Sequence, residues 1–341
     1  MPELHKYSGA GNDFVVLDGR KEDVSEFRTP ERIAALCDRK SGFSAADGRI
    51  GADGLMILNA GDAEYDFRME YYNSDGSGGM MCGNGGRCIV AFADELGLVP
   101  RAGGVFRFLA ADGPHTGEIL RQAQDDSAQF PGGRKTVRLR MIDVKVFHPA
   151  LDGWFVDTGT RHFVRFVPDA EAVDVETEGR RARWDPVFAP VGANANFVSV
   201  DPDGTLRVRT FEKGVEGETL ACGTGITAAA IAAYLEPSRA DRNYFSDKFA
   251  EKPISAPPST TPSRGSADAA LRAGGPSFAG HEKSARQILG HPGSTTPAHA
   301  SAAGVAYNIQ ARIDRLAVEF RPVPDGGFSD VYLIGPAEEI R

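Results

Sequence analysis

Two cysteines each stand at the head of a glycine-rich stretch. Cys82 opens "CGNGG" and Cys222 opens "CGTGI", and an apolar pattern with helical spacing follows each of them. We therefore expect a strand-to-helix turn at each C-G-x-G. The first N–H groups of such a helix have no partner inside it, and together with the helix dipole they can bind a carboxylate. A cysteine in that field is expected to have a pKa below that of a free thiol.

Two such turns are stronger evidence for catalysis than one, because a single buried cysteine is more often inert. If the halves of the chain are related by a pseudo-twofold axis, the helix N-termini can face each other, and the thiols of Cys82 and Cys222 can flank one carbon. A thiolate could then remove a proton from one face of that carbon while the other thiol returns a proton to the opposite face. This pattern predicts a racemase or epimerase that works without a cofactor, with helix N-termini that stabilise the enolate-like charge.

Composition narrows the class of protein. The chain has 341 residues, of which 41% are hydrophobic and 25% charged, which is typical of a globular protein with two domains. The net charge of −9 argues against a nucleic-acid partner. The N-terminal sequence has no apolar signal region, and no segment is apolar over the length of a membrane span, so we expect no membrane partner.

The cysteine pattern favours a reducing environment. Cys37, Cys82, Cys88 and Cys222 are widely spaced, unlike the cysteines of a disulfide scaffold, so a cytoplasmic location is expected. The sequence contains no CxxC, HxH or HExxH motif, and we expect no bound metal. Cys37 and Cys88 fall inside apolar helical patterns and are interpreted as core residues.

Short apolar runs rich in β-branched and aromatic residues predict strands. These runs are 14–18, 55–58, 67–72, 105–110, 136–147, 153–159, 162–167, 196–200, 206–212, 315–320 and 330–335. Helices are predicted at 29–39, with Thr29 as N-cap, and at 86–97 and 225–236. The predicted fold class is α/β (α+β), with two pseudo-symmetric domains, each a mostly antiparallel sheet wrapped around a central helix, and an active site in the cleft between them.

The predicted domain boundary lies near residue 148. An N-terminal domain is expected at 1–148, which residues 333–341 could complete, and a C-terminal domain at 149–332. Three insertions interrupt this plan: an enlarged loop at 41–50, a segment between paired strands at 120–135, and a long insertion at 237–304. The long insertion is rich in Pro, Ser, Thr, Ala and Gly and has few large apolar residues, so we interpret it as disordered.

Longer motifs resemble those of the diaminopimelate epimerase family. They are "SGAGNDFVVLDG" (8–19), "IGADGLMIL" (50–58), "YYNSDGSGGMMCGNGGRC" (71–88), "NANFVSV" (194–200) and "RTFEKGVEGETLACGTG" (209–225). The resemblance implies an isomerase that interconverts LL- and meso-2,6-diaminopimelate in lysine and peptidoglycan precursor biosynthesis. It also implies that no pyridoxal phosphate is required, and we expect a homodimer.

The resemblance also implies roles for individual residues. Cys82 and Cys222 match the two acid/base thiols, while His162 and Glu212 match residues that tune them. The implied substrate-binding set is Asn12, Asn73, Gly83, Asn84, Thr160, Asn194, Glu212, Lys213, Gly223 and Thr224. Within that set, the glycines and the residues after them would offer backbone N–H groups to the reacting carboxylate, and the asparagines would bind a zwitterion without adding charge.

Three positions depart from the family pattern. Arg161 stands where the family commonly has proline, within "GTRH", and Thr160 keeps a hydroxyl there. Lys213 replaces the arginine of the family's Glu-Arg pair, which keeps the charge and loses the bidentate fork. Gly54 stands after Asp53 where some members have glutamine, so no substrate contact is assigned to it.

Other functions remain open on the sequence alone. A proline or hydroxyproline racemase of the same fold would share the C-G-x-G turns. A non-enzymatic anion-binding protein would explain the glycines and leave the paired cysteines without a role. A thiol redox protein would use Cys82 and Cys222 as a disulfide switch.

Overall fold

The computed structural model describes residues 2–79, 81–101, 103–120, 134–236, 304–324 and 326–340. The predicted insertion at 237–304, apart from its last residue, and most of the segment at 120–135 lie outside the described residues. Over the described part of the chain the fold is α+β and dominated by strands, as the sequence predicts. The loop at 41–50 contains a single bridge, between Ser44 and Ile50, and no helix or named strand.

Sixteen strands form one connected sheet within the described residues. They are β1 (Leu4–Gly9), β2 (Asn12–Asp18), β3 (Gly54–Ala60), β4 (Phe67–Asn73), β5 (Val105–Ala110), β6 (Gly113–Leu120), β7 (Lys135–Arg140), β8 (Val146–Ala150), β9 (Gly153–Asp157), β10 (Arg161–Phe166), β11 (Asn194–Val200), β12 (Leu206–Glu212), β13 (Gly217–Thr219), β14 (Val305–Gln310), β15 (Arg315–Pro322) and β16 (Phe328–Glu339).

The first half of this sheet closes on itself. Strands β1 to β7 are neighbours in chain order, and β16 then pairs with β7 on one side and with β1 on the other. Beyond β16 the order continues through β15, β14, β12, β11, β10 and β9 to β8, while β13 pairs with β12. Pairing is antiparallel except for β2–β3, β4–β5, β10–β11 and β12–β14.

Each half of the sheet packs around one helix. Helix α2 (Gly83–Glu95) contacts β1, β2, β3, β6, β7 and β16, and all of its residues from Gly83 to Ala93 are buried. Helix α4 (Gly223–Leu235) contacts β9 to β12, β14 and β15. A helix that is covered on every side needs small or apolar residues all round, which explains its alanines and glycines.

Two further helices lie outside these cores. Helix α1 (Pro30–Cys37) begins at the predicted cap, where the Thr29 side chain accepts a hydrogen bond from the Arg32 N–H. Helix α3 (Val175–Arg183) was not expected from the sequence because it is strongly polar. Its N-cap, Asp174, accepts from the Thr177 N–H, and its buried residues recur at helical spacing, so this signal was present in the sequence.

The remaining differences concern where elements begin. Helices α2 and α4 start at Gly83 and Gly223, earlier than the predicted 86 and 225, so each begins directly after its cysteine. The predicted strand at 136–147 is divided into β7 and β8 by residues 141–145. No helix in the described part of the chain is both long and apolar enough to span a membrane.

Candidate active site

The N-termini of α2 and α4 meet, and each is capped by a cysteine. Cys82 and Cys222 are the N-cap residues, with extended backbone conformations. A Cβ placed on Gly223 would lie 3.4 Å from the Gly83 Cα and 2.9 Å from a methyl of Leu333. The two helix ends are therefore close enough that a Cβ on one glycine would touch the other, and it would press against Leu333. Both cysteines are free thiols.

Each sulfur has its own hydrogen-bond partner. The backbone N–H of Gly85 donates to Cys82 Sγ at 3.2 Å. On the other side, Thr224 Oγ1 lies 3.4 Å from Cys222 Sγ. Hydrogen bonds to a thiolate stabilise it, so both positions can hold the ionised form when the reaction requires it.

The expectation that the helix N-termini bring the thiol pKa values below that of a free thiol is wrong. Burial raises the pKa of Cys82, and the N–H of Gly85 opposes that effect only in part. Burial also raises the pKa of Cys222, and the Glu212 carboxylate adds to the rise while Thr224 opposes it. The cost of removing a thiolate from water exceeds the gain from these donors.

The charge of Glu212 acts on both thiols. It ends β12, and its carboxylate raises the pKa of both Cys82 and Cys222. Burial raises the pKa of Glu212 itself, and Asp53 raises it further, while Thr219 acts in the opposite direction. Because its charge affects both cysteines, the position of Glu212 fits the thiol-tuning role that the sequence implies.

His162 is fully buried on β10 and is held in one orientation. The Asn196 amide donates to Phe163 O at 2.9 Å and lies 3.2 Å from His162 Nδ1. The Asn194 amide also lies 3.4 Å from His162 Nε2, and the shorter Asn196 contact favours Nδ1 as the acceptor, with the hydrogen of the neutral ring on Nε2. Burial lowers the pKa of His162 to about 3, so the ring is neutral at physiological pH.

A short chain of hydroxyl groups joins His162 to the second thiol. His162 Nε2 is 2.8 Å from Thr160 Oγ1 and 3.0 Å from Thr224 Oγ1. Thr160 Oγ1 donates to Thr224 Oγ1 at 3.0 Å, which leaves the Thr224 hydrogen free to point at Cys222 Sγ. The histidine therefore acts as a neutral donor through two threonines, and a charged imidazolium is not needed.

Three of the predicted asparagines lie in fixed networks. Asn194 begins β11, donates to Arg161 O at 3.1 Å and accepts from the Lys213 N–H at 2.7 Å. Asn12 Nδ2 donates to Asp53 Oδ2 at 2.8 Å. Asn84, which is 3% exposed, donates to Asn12 Oδ1 at 2.5 Å and to the Ala221 carbonyl at 3.1 Å. This last contact ties the start of α2 to the residue before Cys222.

Asn73 and Lys213 lie at the edge of the arrangement. Asn73 ends β4, and its amide donates to Ser77 Oγ at 3.0 Å. The side chain of Lys213 is exposed, and its backbone N–H is used by Asn194. Arg161 donates to Phe188 O at 3.3 Å, which gives the residue that replaces proline a structural contact of its own.

Four residues of the site were not identified from the sequence. They are Asp53, Tyr71, Arg87 and Asn196. Asn196 could have been found, because it is two residues after Asn194 and residues at that spacing lie on one face of a strand. Tyr71 could not have been found, because its place in the site depends on packing between strands. A Cβ on Gly54 would lie 2.6 Å from Tyr71 Cε2. That contact explains why a larger residue is absent at position 54.

Comparison with known proteins identifies the family of the chain. A family model described as diaminopimelate epimerase matches residues 4–113 and 154–247. The chain belongs to this family. A diaminopimelate epimerase from Chlorobaculum tepidum is 41% identical over 232 residues, which cover 67% of this chain and 81% of that protein. One from Aquifex aeolicus is 41% identical over 236 residues, covering 69% and 82%.

A solved structure shares the fold. A PhzF-family phenazine biosynthesis protein from Bacillus anthracis superposes with a TM-score of 0.57 at 12% sequence identity, covering 99% of this chain and 96% of that one. At this identity the likeness shows the fold alone. Among the described residues, no group of three or more His, Cys, Asp or Glu side chains is arranged to hold a metal ion.

Proposed function

We propose that this chain is a diaminopimelate epimerase that interconverts the LL and meso forms of 2,6-diaminopimelate by a two-thiol mechanism. The observation that carries the proposal is the meeting of two helix N-termini, each capped by a cysteine. The reacting carbon would lie between Cys82 and Cys222, in a cleft between the domains proposed at 1–148 and 149–332. This reaction belongs to lysine and peptidoglycan precursor biosynthesis.

The reacting carboxylate binds to bare backbone in this proposal. The N–H groups of Gly83, Asn84, Gly223 and Thr224 are the first of their helices and have no partner within them. They would hold the carboxylate and stabilise the negative charge that spreads onto it when the α-proton leaves. The network around Asn12, Asn84 and Asn194 then orients the polar groups of the substrate.

The proton balance requires one thiolate and one thiol. The thiolate takes the α-proton and becomes a thiol, while the opposite thiol gives its proton to the other face of the carbon and becomes the thiolate. The thiols have then exchanged states, so the enzyme is ready for the reverse direction. The raised pKa of Cys82 and Cys222 makes each thiolate a stronger base toward a weakly acidic α-proton.

Exchange of the α-proton with solvent tests this proposal. In D₂O the wild-type protein should incorporate deuterium at the α-carbon of diaminopimelate and convert one stereoisomer to the other. Cys82→Ala and Cys222→Ala should each abolish epimerisation, because each removes one of the two proton carriers. Cys37→Ala is the matched control and should keep activity, since that thiol is buried in a separate apolar cluster.

Two results would contradict the proposal. Full turnover by either single-cysteine variant would exclude the two-thiol mechanism. Rapid exchange with proline and none with diaminopimelate would assign the chain to the alternative racemase function.

We also propose a cytoplasmic homodimer. Light scattering during size-exclusion chromatography should then give twice the 36.4 kDa mass of one chain. A mass equal to one chain at micromolar concentration would refute the dimer and leave the catalytic proposal unaffected.

A further inference from the structure

Arg87 is a buried cation with no anionic partner. It lies on α2, its exposed fraction is 0%, and it makes no ion pair with any carboxylate in the described part of the chain. Its guanidinium instead donates to Gly83 O at 3.1 Å, Asn84 Oδ1 at 2.8 Å and Pro336 O at 3.3 Å. An unpaired buried charge destabilises a protein, so its retention here calls for a functional reason.

The neighbours of Arg87 show what it controls. A guanidinium can only donate hydrogen bonds, so the Asn84 amide must turn Oδ1 toward it. Asn84 Nδ2 then faces the Ala221 carbonyl and Asn12 Oδ1. At the far end, the Asn12 amide donates to Asp53, a carboxylate that only accepts. The orientations of the Asn84 and Asn12 amides are therefore fixed by a pure donor, Arg87, at one end of this hydrogen-bond chain and a pure acceptor, Asp53, at the other.

We propose that Arg87 is a positioning residue for the reaction: through Asn84 it fixes the backbone before Cys222 relative to the helix that carries Cys82, and its positive charge acts on Cys82. The proposal rests on the two-thiol function above. Gly335 on β16 makes room for the guanidinium, since a Cβ there would lie 3.2 Å from Arg87 Nε. The carbonyl of Pro336 on the same strand accepts a hydrogen bond from Arg87 Nε.

The guanidinium of Arg87 holds the carbonyl of Gly83, the residue after Cys82, and its charge lowers the pKa of Cys82 against the larger effect of burial. The largest effects on the pKa of Cys222 come from burial, Glu212 and Thr224. The other titratable groups that face Cys82 are Glu212, Tyr71, Cys88 and Cys222. Glu212 acts on both thiols, so it does not by itself favour ionisation of one over the other.

Two variants separate position from charge. Arg87→Lys keeps the charge but cannot hold Gly83 O and Asn84 Oδ1 together, so kcat should fall about tenfold while the ionisation of Cys82 is preserved. Arg87→Met removes both, so kcat should fall further and the ionisation midpoint of Cys82 should rise by about one pH unit. The midpoint is measured by the pH dependence of iodoacetamide alkylation, followed for each cysteine by peptide mass spectrometry.

Internal and matched controls come from the same chain. The alkylation midpoint of Cys222 should move less than that of Cys82 in Arg87→Met, so a general loosening of the fold is recognised by an equal shift at both thiols. Arg183 is also buried but pairs with Glu216, and Arg183→Lys should leave kcat and both midpoints near the wild-type values. Midpoints are compared rather than maximal rates, because the two thiols differ in exposure.

Several outcomes would overturn the proposal. They are a wild-type kcat in Arg87→Lys, equal midpoint shifts at Cys82 and Cys222 in Arg87→Met, and a wild-type protein in which Cys82 does not ionise at lower pH than Cys222. The last measurement needs no variant, so it decides the charge effect even if Arg87→Met does not fold. Failure of the proposed function is distinct, because it appears as a wild-type protein without exchange on diaminopimelate.

Discussion

At the scale of single residues, the site consists of polar groups whose orientations are fixed by partners that can only donate or only accept. His162 shows the principle, because the amide of Asn196 determines which ring nitrogen carries the hydrogen. Thr210 in turn donates to Asn196 Oδ1 at 2.9 Å, so the amide cannot rotate. The neutral ring is thus a consequence of the packing around it.

The buried neutral histidine predicts a pH-dependent stability. Its pKa of about 3 in the folded protein lies below the unfolded value of about 6.5, so its contribution is complete above about pH 6.5 and is lost as pH falls. Between about pH 7 and about pH 5 this single group should cost about 2 kcal/mol of unfolding free energy. Urea denaturation at several pH values should show a smaller loss over this range in His162→Gln than in wild type.

A second histidine serves as the control for this measurement. His148 is exposed on β8, so His148→Gln controls for the replacement of a histidine by glutamine outside the site. If His162→Gln and the wild type lose the same free energy on acidification, the ring is not held neutral in the fold.

At this scale the candidate residues were visible in the sequence, whereas the direction of the thiol pKa shifts was not. Cys82, Cys222, His162 and Glu212 could be singled out because their residue types and motif positions are visible in one dimension. The direction of the thiol pKa shifts was predicted wrongly, since burial depends on how completely the two halves close over the sulfurs.

At the scale of elements, each helix of the site begins directly after its cysteine, and glycine allows the close packing that this needs. Gly225 in the first turn of α4 is the tightest case, because a Cβ there would overlap Asn196 Oδ1 and approach His162 Cε1 to 3.3 Å. The strand β11 and the helix α4 are therefore in contact at the amide that orients the histidine.

Gly225→Ala tests this contact. Alanine should favour the helix by about 1 kcal/mol, but overlap with an amide that Thr210 holds in place should cost about 1–3 kcal/mol, so we expect net destabilisation. Urea denaturation measures this, and epimerase activity should fall with it because Asn196 must move. Gly78→Ala is the control, since a Cβ there meets no atom within 4 Å. A variant at 225 as stable as wild type would show that the amide yields without cost.

The elements themselves were largely predictable, and the exceptions have physical reasons. Alternating runs such as 206–212 became strands with the same bounds, because half-buried strands have a period of two. Strands β1, β6, β13 and β14 were missed. Strand β6 carries Gly113, Pro114 and Gly117, which are unfavourable in strands, yet it pairs with both β5 and β7. Pairing partners overrode local preference there.

At the scale of the whole molecule, closure of the first ring depends on contacts between the two ends of the chain. Tyr7 on β1 pairs with Glu339 on β16, and His5 Nδ1 lies 2.9 Å from a Glu339 oxygen. No local pattern in the sequence specifies such a pairing, because residues such as His5 and Glu339 are 334 positions apart. The resemblance of the motifs could suggest it, whereas periodicity could not.

Removal of residues 238–303 tests whether the described fold forms without them. On either side of this stretch, α4 ends at Leu235 and β14 begins at Val305, and both are packed within the described part of the chain. Replacement by a Gly–Ser linker of about 12 residues, which spans about 20 Å on average, should leave circular dichroism and epimerase activity unchanged. Aggregation of the shortened protein would mean that the removed residues are required for folding.

The position of β16 also has a consequence for the order of events during synthesis. This strand is the last described element of the chain, yet it lies between β7 and β15 and also pairs with β1. The N-terminal ring therefore stays open, with β1 and β7 as unpaired edges, until residues 328–339 have left the ribosome. Residues 328–339 must be synthesised before the helix that follows Cys82 is enclosed by its strands, so a chain truncated before them leaves that helix without one of its main packing partners.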